Sequence, residues 1–515
     1  MHSIDESQKP AGLDSKPQKI PDKETEAAEE LAPLSANAGT AVKASEAPKS
    51  SASGRGRGTI NFALPIWKSM LVFLIPLMLS NTLQSIGGTV SSVLLGRAVG
   101  EGALASASAV FPVTFFLVSF VIGLGSASSV LIGQAYSSGQ AERMKATVGT
   151  SLTFTLLLGL LAAAVGNLFC RELLLLIGTP PAIIDSSIGY ARIIFTGLPI
   201  MFIYTNYTTF LRGTGDSKTP FYFLVISTAL TIALSLVFVL GWLGLPSLGL
   251  NGAALATVLA TLVTFLALIG YLWWIRHPLA LDRETVKKLR LDRQIVSLLI
   301  KIGLPTSVQM IFVSMAEIAV IVFVNAYGAH ATAAYGAVNQ IVNYVQMPAM
   351  SLGIAAGIFG AQLIGAGKQD RLDELIKGAV VLNYVIGVIL IGIVYLFNEH
   401  VLSWFLTEPS TAAMAKTLLN ITLWAYLLFG NSMIISGMMR SSGTVLWPML
   451  ITIFSIWGVE VPAAYLLSRQ IGIEGIWLAY PISFSFSLLA QYVYYRLFWK
   501  NKDHGRLFDP PPKTS

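Results

Sequence analysis

Two glutamates stand where an acid is hardest to keep. Glu317 and Glu460 each lie inside a long apolar stretch of the chain. Glu317 follows Lys301 by sixteen residues, roughly 24 Å along a helix, so it reads as deep within a membrane span. An ionisable group at such depth costs on the order of 3 kcal/mol on insertion scales and marks a functional site by default. A carboxylate there can take up and release a proton or a sodium ion. Glu460 stands two residues before Pro462, so it can instead serve the backbone that a proline leaves unpaired. Amides accompany the acids. Asn339, Asn343 and Gln346 follow an i, i+4, i+7 spacing, one stripe of a helix, and Gln309 shares a face with Val313 and Glu317. Such amides either line a polar cavity or join neighbouring helices. Shifted back by 228 positions, the stripe becomes Phe111, Phe115 and Val118. That aromatic face is either core or the wall of a site for an apolar ligand.

Other chemistry is thin. His2, His277, His330, His400 and His504 do not pair at metal-ligand spacing, and Cys170 is the single cysteine, so no metal centre, disulfide or redox pair is expected. GTGDS at 213–217 is too short for a phosphate-cradling loop and reads as a helix-end turn. No nucleophile and base stand at catalytic spacing. The chain reads as a protein that is not an enzyme and needs no cofactor.

The elements that must hold these residues are membrane helices. The 515 residues are 54% hydrophobic and only 12% charged, with a mean hydropathy of +0.67. A soluble protein would carry about twice that charged fraction. Stretches such as 150–170, 221–243, 252–275 and 376–397 exceed the roughly 20 apolar residues that cross a bilayer. Helices satisfy their own backbone in lipid, so an all-α membrane protein of about twelve transmembrane helices is expected. The net charge of +7 does not point to nucleic acid. Basic residues gather in alternate loops, and the opposite loops hold only Arg97, Arg171, Arg192, Lys416 and Arg469. By the positive-inside rule both termini are cytoplasmic in a multi-pass protein of the cell membrane, the inner membrane if the source is Gram-negative. No arginine or lysine is expected inside a span.

The chain also repeats itself. GSASSVLIGQAYSSGQAER at 125–143 and GIAAGIFGAQLIGAGKQDR at 353–371 share Gly125/Gly353, Gln134/Gln362, Gly139/Gly367 and Arg143/Arg371 at one shift of 228. Arg212, Gly215 and Pro220 meet Arg440, Gly443 and Pro448 at the same shift. Two six-helix, pseudo-symmetric lobes follow, over 61–275 and 295–498, and six spans per half make the repeats parallel. A charged cytoplasmic linker at 276–294 joins them and reads as a surface helix. Residues 1–60 read as a disordered cytoplasmic tail, with GRGRG at 54–58 able to touch anionic headgroups, and 499–515 as a short polar cytoplasmic tail.

IPLMLSNTLQSIGGTVSSVLLGRAVGEGALAS at 75–106, GQAYSSGQAER, LRGTGDSKTP at 211–220, GLNGAALAT at 249–257, GLP at 303–305, YGAHATAAYG at 327–336 and GIEGIWLA at 472–479 together resemble the multidrug and toxic compound extrusion (MATE) family over residues 61–498. The resemblance implies export of drugs or metabolites on a proton or sodium gradient. It also implies an acid in the first span and another in the fifth. Here Ser91 stands at the first of these and Ser235 at the second, with Thr231 at the asparagine that the family carries four residues before it. A serine is a weak neutral ligand and cannot hold a proton in exchange. The coupling carboxylate is therefore expected in the second lobe. Glu317 carries it in this reading, one turn beyond the family's glutamate position at Val313, with Glu460, Gln309, Asn339 and Asn343 as polar support. The expected partners are the lipid bilayer and a small-molecule substrate, handled by a monomer. A lipid or polysaccharide-precursor flippase of the same superfamily is one alternative. A channel or a non-transporting receptor is the other.

Overall fold

The computed structural model describes residues 65–244 and 246–508. The tail expected over 1–60, GRGRG included, lies outside the described residues, as does the end of the C-terminal tail.

Twelve helices are long and apolar enough to cross a membrane, as the apolar stretches predict. They are α1 (Ile66–Ala98), α2 (Glu101–Ser137), α3 (Ala141–Leu168), α4 (Ile184–Gly213), α5 (Lys218–Leu240) and α6 (Gly249–Trp274), then α7 (Arg293–Asn325), α8 (Ala329–Gly365), α9 (Gln369–Leu396), α10 (Pro409–Ser441), α11 (Leu446–Ile471) and α12 (Ile473–Trp499). There is no strand among the described residues. The helices outlast the apolar stretches that mark them. Arg212 and Arg440 therefore fall in the last turns of α4 and α10, and Lys301 lies within α7. This corrects the expectation that no arginine or lysine lies within a span.

The repeat is visible in the turns. Gly139, just after α2, and Gly367, just after α8, both take positive φ, +73° and +70°, which a side chain would strain. The packing repeats too. In the first lobe α2 packs on α4 and α5 on α6, and in the second α8 packs on α10 and α11 on α12. A Cβ on Gly437 of α10 would run into the carbonyl of Gly353 on α8, so only glycine allows these two backbones their approach. One helix of each lobe reaches across. Besides packing on α5, α1 touches α8 and α9, and α7, besides packing on α11, touches α2 and α3.

The connection between the lobes lies at the same end as the start of α1 and the C-terminal segment; this end is called the tail side. Ile66 donates its N–H to Glu374 at the start of α9 at 3.2 Å. The linker holds one short helix, Arg283–Lys287, rather than a long one. Asp282 caps it, accepting the Thr285 N–H at 2.8 Å, and pairs with Lys145 of α3 at 2.7 Å. Burial alone would raise the Asp282 carboxyl, but Lys145 and the two Thr285 donors hold it down at about 2. Asp292 caps α7 by accepting from Gln294 and Ile295.

Lobe-to-lobe hydrogen bonds lie on the tail side and near mid-span. Gln134 of α2 donates to the Ser441 carbonyl at the end of α10 at 2.8 Å, and Gln362 of α8 donates to the Gly213 carbonyl at the end of α4 at 2.7 Å. Nearer the middle, Ser307 of α7 reaches the Phe120 carbonyl at 3.4 Å and Asn81 of α1 reaches Ser351 at 3.1 Å. Thr82 of α1 adds a weak contact to Met347 Sδ of α8 at 3.8 Å, one turn farther on. The boundary is closed at the tail side.

Candidate functional site

The second lobe gathers its acids around tyrosines. The two helices that carry them are tied together: Trp457 of α11 donates Nε1–H to the Phe312 carbonyl of α7 at 3.1 Å, and the two rings meet edge to face at 6.4 Å. Glu317 lies five residues beyond Phe312 and Glu460 three beyond Trp457. The two acids thus stand on packed helices of the same lobe, which also holds Tyr335 of α8 and Tyr426 of α10. Tyr335 shares a hydrogen bond with Tyr480 of α12 at 2.9 Å, and Asn339 also bonds Tyr335. Ser483 lies beside Glu460 and donates to the Ser455 carbonyl at 2.9 Å. Aromatic rings hold the tyrosines. Trp477 stacks on Tyr335 at 5.8 Å, and Phe484 packs against Tyr426 at 5.3 Å.

The backbone around Glu460 departs from the α-helix. Residues Ser455–Glu460 form a π-helical turn. Pro462 supplies no N–H for the turn before it, and one wide turn absorbs the mismatch. Ser483 satisfies a carbonyl that this turn presents.

Burial separates the two acids. Glu460 is 6% exposed, whereas Glu317 is exposed. The spacing of the sequence favours Glu317 for exchange and leaves Glu460 as support for Pro462. The geometry makes Glu460 the more deeply buried of the two. Of the other residues singled out in this lobe, Asn339 joins the cluster. Asn343 and Gln346 instead bond each other at 2.8 Å on an exposed face of α8. The same face carries Met347, which meets Thr82 of α1 at 3.8 Å, so it turns toward the first lobe. Gln309 is half-buried on α7.

The first lobe holds a different kind of space. A cavity of about 410 Å³ is lined by Ser91 and Ser92 of α1, Ser108 and Phe111 of α2, Ser235 of α5 and Thr257 of α6, among others. Ser91 and Ser235 therefore meet, although 144 positions separate them. Phe111 forms part of the wall and stacks on Phe115 at 5.9 Å. Thr231 is outside this lining; its hydroxyl bonds the Ser227 carbonyl of its own helix at 2.8 Å. The lining carries hydroxyls and apolar carbons but no carboxylate. It can accept or donate hydrogen bonds and cannot hold an exchangeable charge. Among the described residues no three of His, Cys, Asp and Glu converge as a metal-ligand set.

Tyr335, Tyr426, Tyr480 and Ser483 are absent from the sequence reading. Tyr335 had a signal: it stands one turn before Asn339 and extends the Asn339–Asn343–Gln346 stripe. The other three come from α10 and α12, and no spacing within one helix connects them to Glu460.

Comparison with known proteins matches the description MatE to residues 76–237 and 305–466, one segment per lobe. The chain is 54% identical over 444 residues to the probable multidrug resistance protein YoeA of Bacillus subtilis, covering 86% of this chain and 96% of that one. It is 25% identical over 419 residues to a FAD transporter of Shewanella oneidensis, covering 81% and 92%. Among solved structures, the Vibrio cholerae MATE transporter VcmN superposes with a TM-score of 0.79 at 17% identity over 86% of this chain and 98% of that one.

Proposed function

Because the chain belongs to the MatE family of multidrug transporters, we propose that it is a secondary active exporter that exchanges a monovalent cation, proton or sodium, against a small-molecule substrate by rocking of its two lobes. The supporting observation is the distribution of charge. Both intramembrane glutamates lie in the second lobe, on the packed helices α7 and α11, and the cavity of the first lobe carries no acid. In this reading Glu317 receives the cation and Glu460, the more buried acid, holds it in the interior. Cation binding stabilises one arrangement of the second lobe more than the other, and that difference is the coupling. Substrate is held between the hydroxyl and aromatic wall of the first lobe and the Asn343–Gln346 face of the second. A single chain contains every part this cycle needs, so the monomer is the working unit.

The orientation proposed puts the tail side in the cytoplasm, so the described state is one closed to the cytoplasm. Purified protein in vesicles, with a pH gradient or a sodium gradient imposed separately, tests the exchange. Substrate movement driven by one of the two gradients supports it, and movement indifferent to both excludes it. A second cargo class is raised by one observation. Arg440 reaches Ser126 of α2 at 3.3 Å, while its Nε is buried without a partner. An anionic metabolite would suit that group, and assays should include one.

A further inference from the structure

The C-terminal segment beyond α12 lies across both lobes at the tail side. Trp499 ends α12 in the core of the second lobe, and its Nε1–H donates to Ser442 at 2.8 Å. The chain then turns back. His504 stacks on Trp499 with ring centroids 3.9 Å apart. Burial holds its imidazole below the ordinary value. Gln369, at the start of α9, clamps the His504 backbone from both sides: Nε2 donates to the carbonyl at 2.7 Å, and Oε1 accepts the N–H at 3.2 Å.

The next residues belong to the other lobe. The N–H of Leu507 donates to Oε1 of Gln134 at 2.9 Å. The same Gln134 amide gives its Nε2–H to the Ser441 carbonyl of the second lobe, so the segment completes the polar valence of a lobe-to-lobe contact. Phe508 is buried in the first-lobe core with Leu131, Met144 and Tyr207. Arg143 of α3 covers it, with Nη1 donating to the Phe508 carbonyl at 2.6 Å and the guanidinium 5.3 Å from the ring centre.

We propose that residues 503–508 are a strap that holds the tail side of the lobes closed, so that opening to that side requires its release. The inference rests on the lobe-rocking reading. A contact made in only one of two states biases the equilibrium toward that state by its full free energy. The strap is anchored to the second lobe at Trp499 and Gln369 and to the first at Gln134 and Arg143. Separation of the lobes at this side cannot leave all four anchors intact. Among the described residues Gln362, the equivalent of Gln134, has no such segment on it, so within them the strap is a one-sided addition to a two-sided lock.

The test measures lobe separation directly. Cysteines replace Ser138 and Ala366, equivalent positions at the tail ends of α2 and α8, in a Cys170→Ser background, and spin labels report their distance in the full chain. Three variants are compared: truncation after Lys502, Phe508→Ala and Gln134→Ala. The strap account expects the truncation and Phe508→Ala each to enlarge the long-distance population about fivefold or more relative to the full-length parent. Folding is checked by size-exclusion profile, and Phe508→Ala serves if the truncation fails to fold. A long-distance population raised by Gln134→Ala but unchanged in both strap variants overturns the strap alone. A long-distance population missing from every variant, Gln134→Ala included, overturns the lobe-rocking reading and the strap with it.

Discussion

Gln134 and Gln362 make the same contact from opposite sides. Each donates its side-chain amide across the lobe boundary, to Ser441 and Gly213, and the two acceptors are themselves one repeat apart. The acceptors are terminal helix carbonyls, which have no intrahelical partner of their own. The glutamines thus cap one lobe's helix with the other lobe's side chain, and the cap exists only while the tail side is closed. Removing either amide leaves a buried carbonyl unpaired, a loss of about 1–2 kcal/mol. Gln362→Ala is therefore expected to raise the tail-open population roughly five- to thirtyfold. Paired spin labels at Ser138 and Ala366 read it, and an unchanged distance distribution would remove the lock.

Topology gives a second prediction. A reporter fused after Ser515 is expected to be active only in its cytoplasmic form. A cysteine introduced at Gly328–Ala331 is expected to react with an impermeant reagent from outside, once Cys170 is replaced. Reaction only after permeabilisation would invert the proposed orientation.

Gly437 predicts a packing cost. An alanine there drives a methyl group into the Gly353 carbonyl, and overpacking of this kind costs typically 1–3 kcal/mol. The thermal midpoint in detergent should fall. Alanine at Gly392, around which nothing lies within 4 Å, should leave it nearly unchanged and is the control.

The linker predicts an acid sensitivity. Asp282 is held at about 2 in the folded chain against an ordinary 3.8, so its contribution is full above 3.8 and is lost as pH falls toward 2. Protease access to residues 276–292 should rise across that window. Asp282→Asn should show raised access already at neutral pH and a weaker acid response. The carboxylate is well exposed, so the effect is local rather than global.

Hydropathy and the 228-residue shift revealed twelve spans and two lobes, because both depend on local apolar length and on glycines that a turn requires. The resemblance to the MATE family put Ser91 and Ser235 where the family carries its first-lobe acids, and both line one cavity in the fold. The tyrosine cluster was not legible, because Tyr335, Tyr426 and Tyr480 come from three helices and read singly as ordinary apolar residues. The relative burial of Glu317 and Glu460 was hidden for the same reason: depth along a helix says nothing about which neighbour covers its face. The strap was missed because Leu507 and Phe508 act through backbone N–H and C=O and through a pocket in another lobe. The glutamines stood out as repeat marks, but their acceptors are carbonyls, which any residue type can supply.

The central claim is that exchange at the second-lobe acid pair drives export. The direct measurement is gradient-driven substrate export in vesicles by Glu317→Gln and Glu460→Gln, beside Ser91→Ala, with protein amount and substrate binding measured in parallel. An amide keeps size and hydrogen bonding but cannot exchange charge. Both glutamine variants are expected to lose coupled export by about tenfold or more, which corresponds to about 1.4 kcal/mol of lost bias, while substrate binding persists and Ser91→Ala exports nearly as the parent does. Export at the parental rate by both glutamine variants under the same gradient would contradict the account.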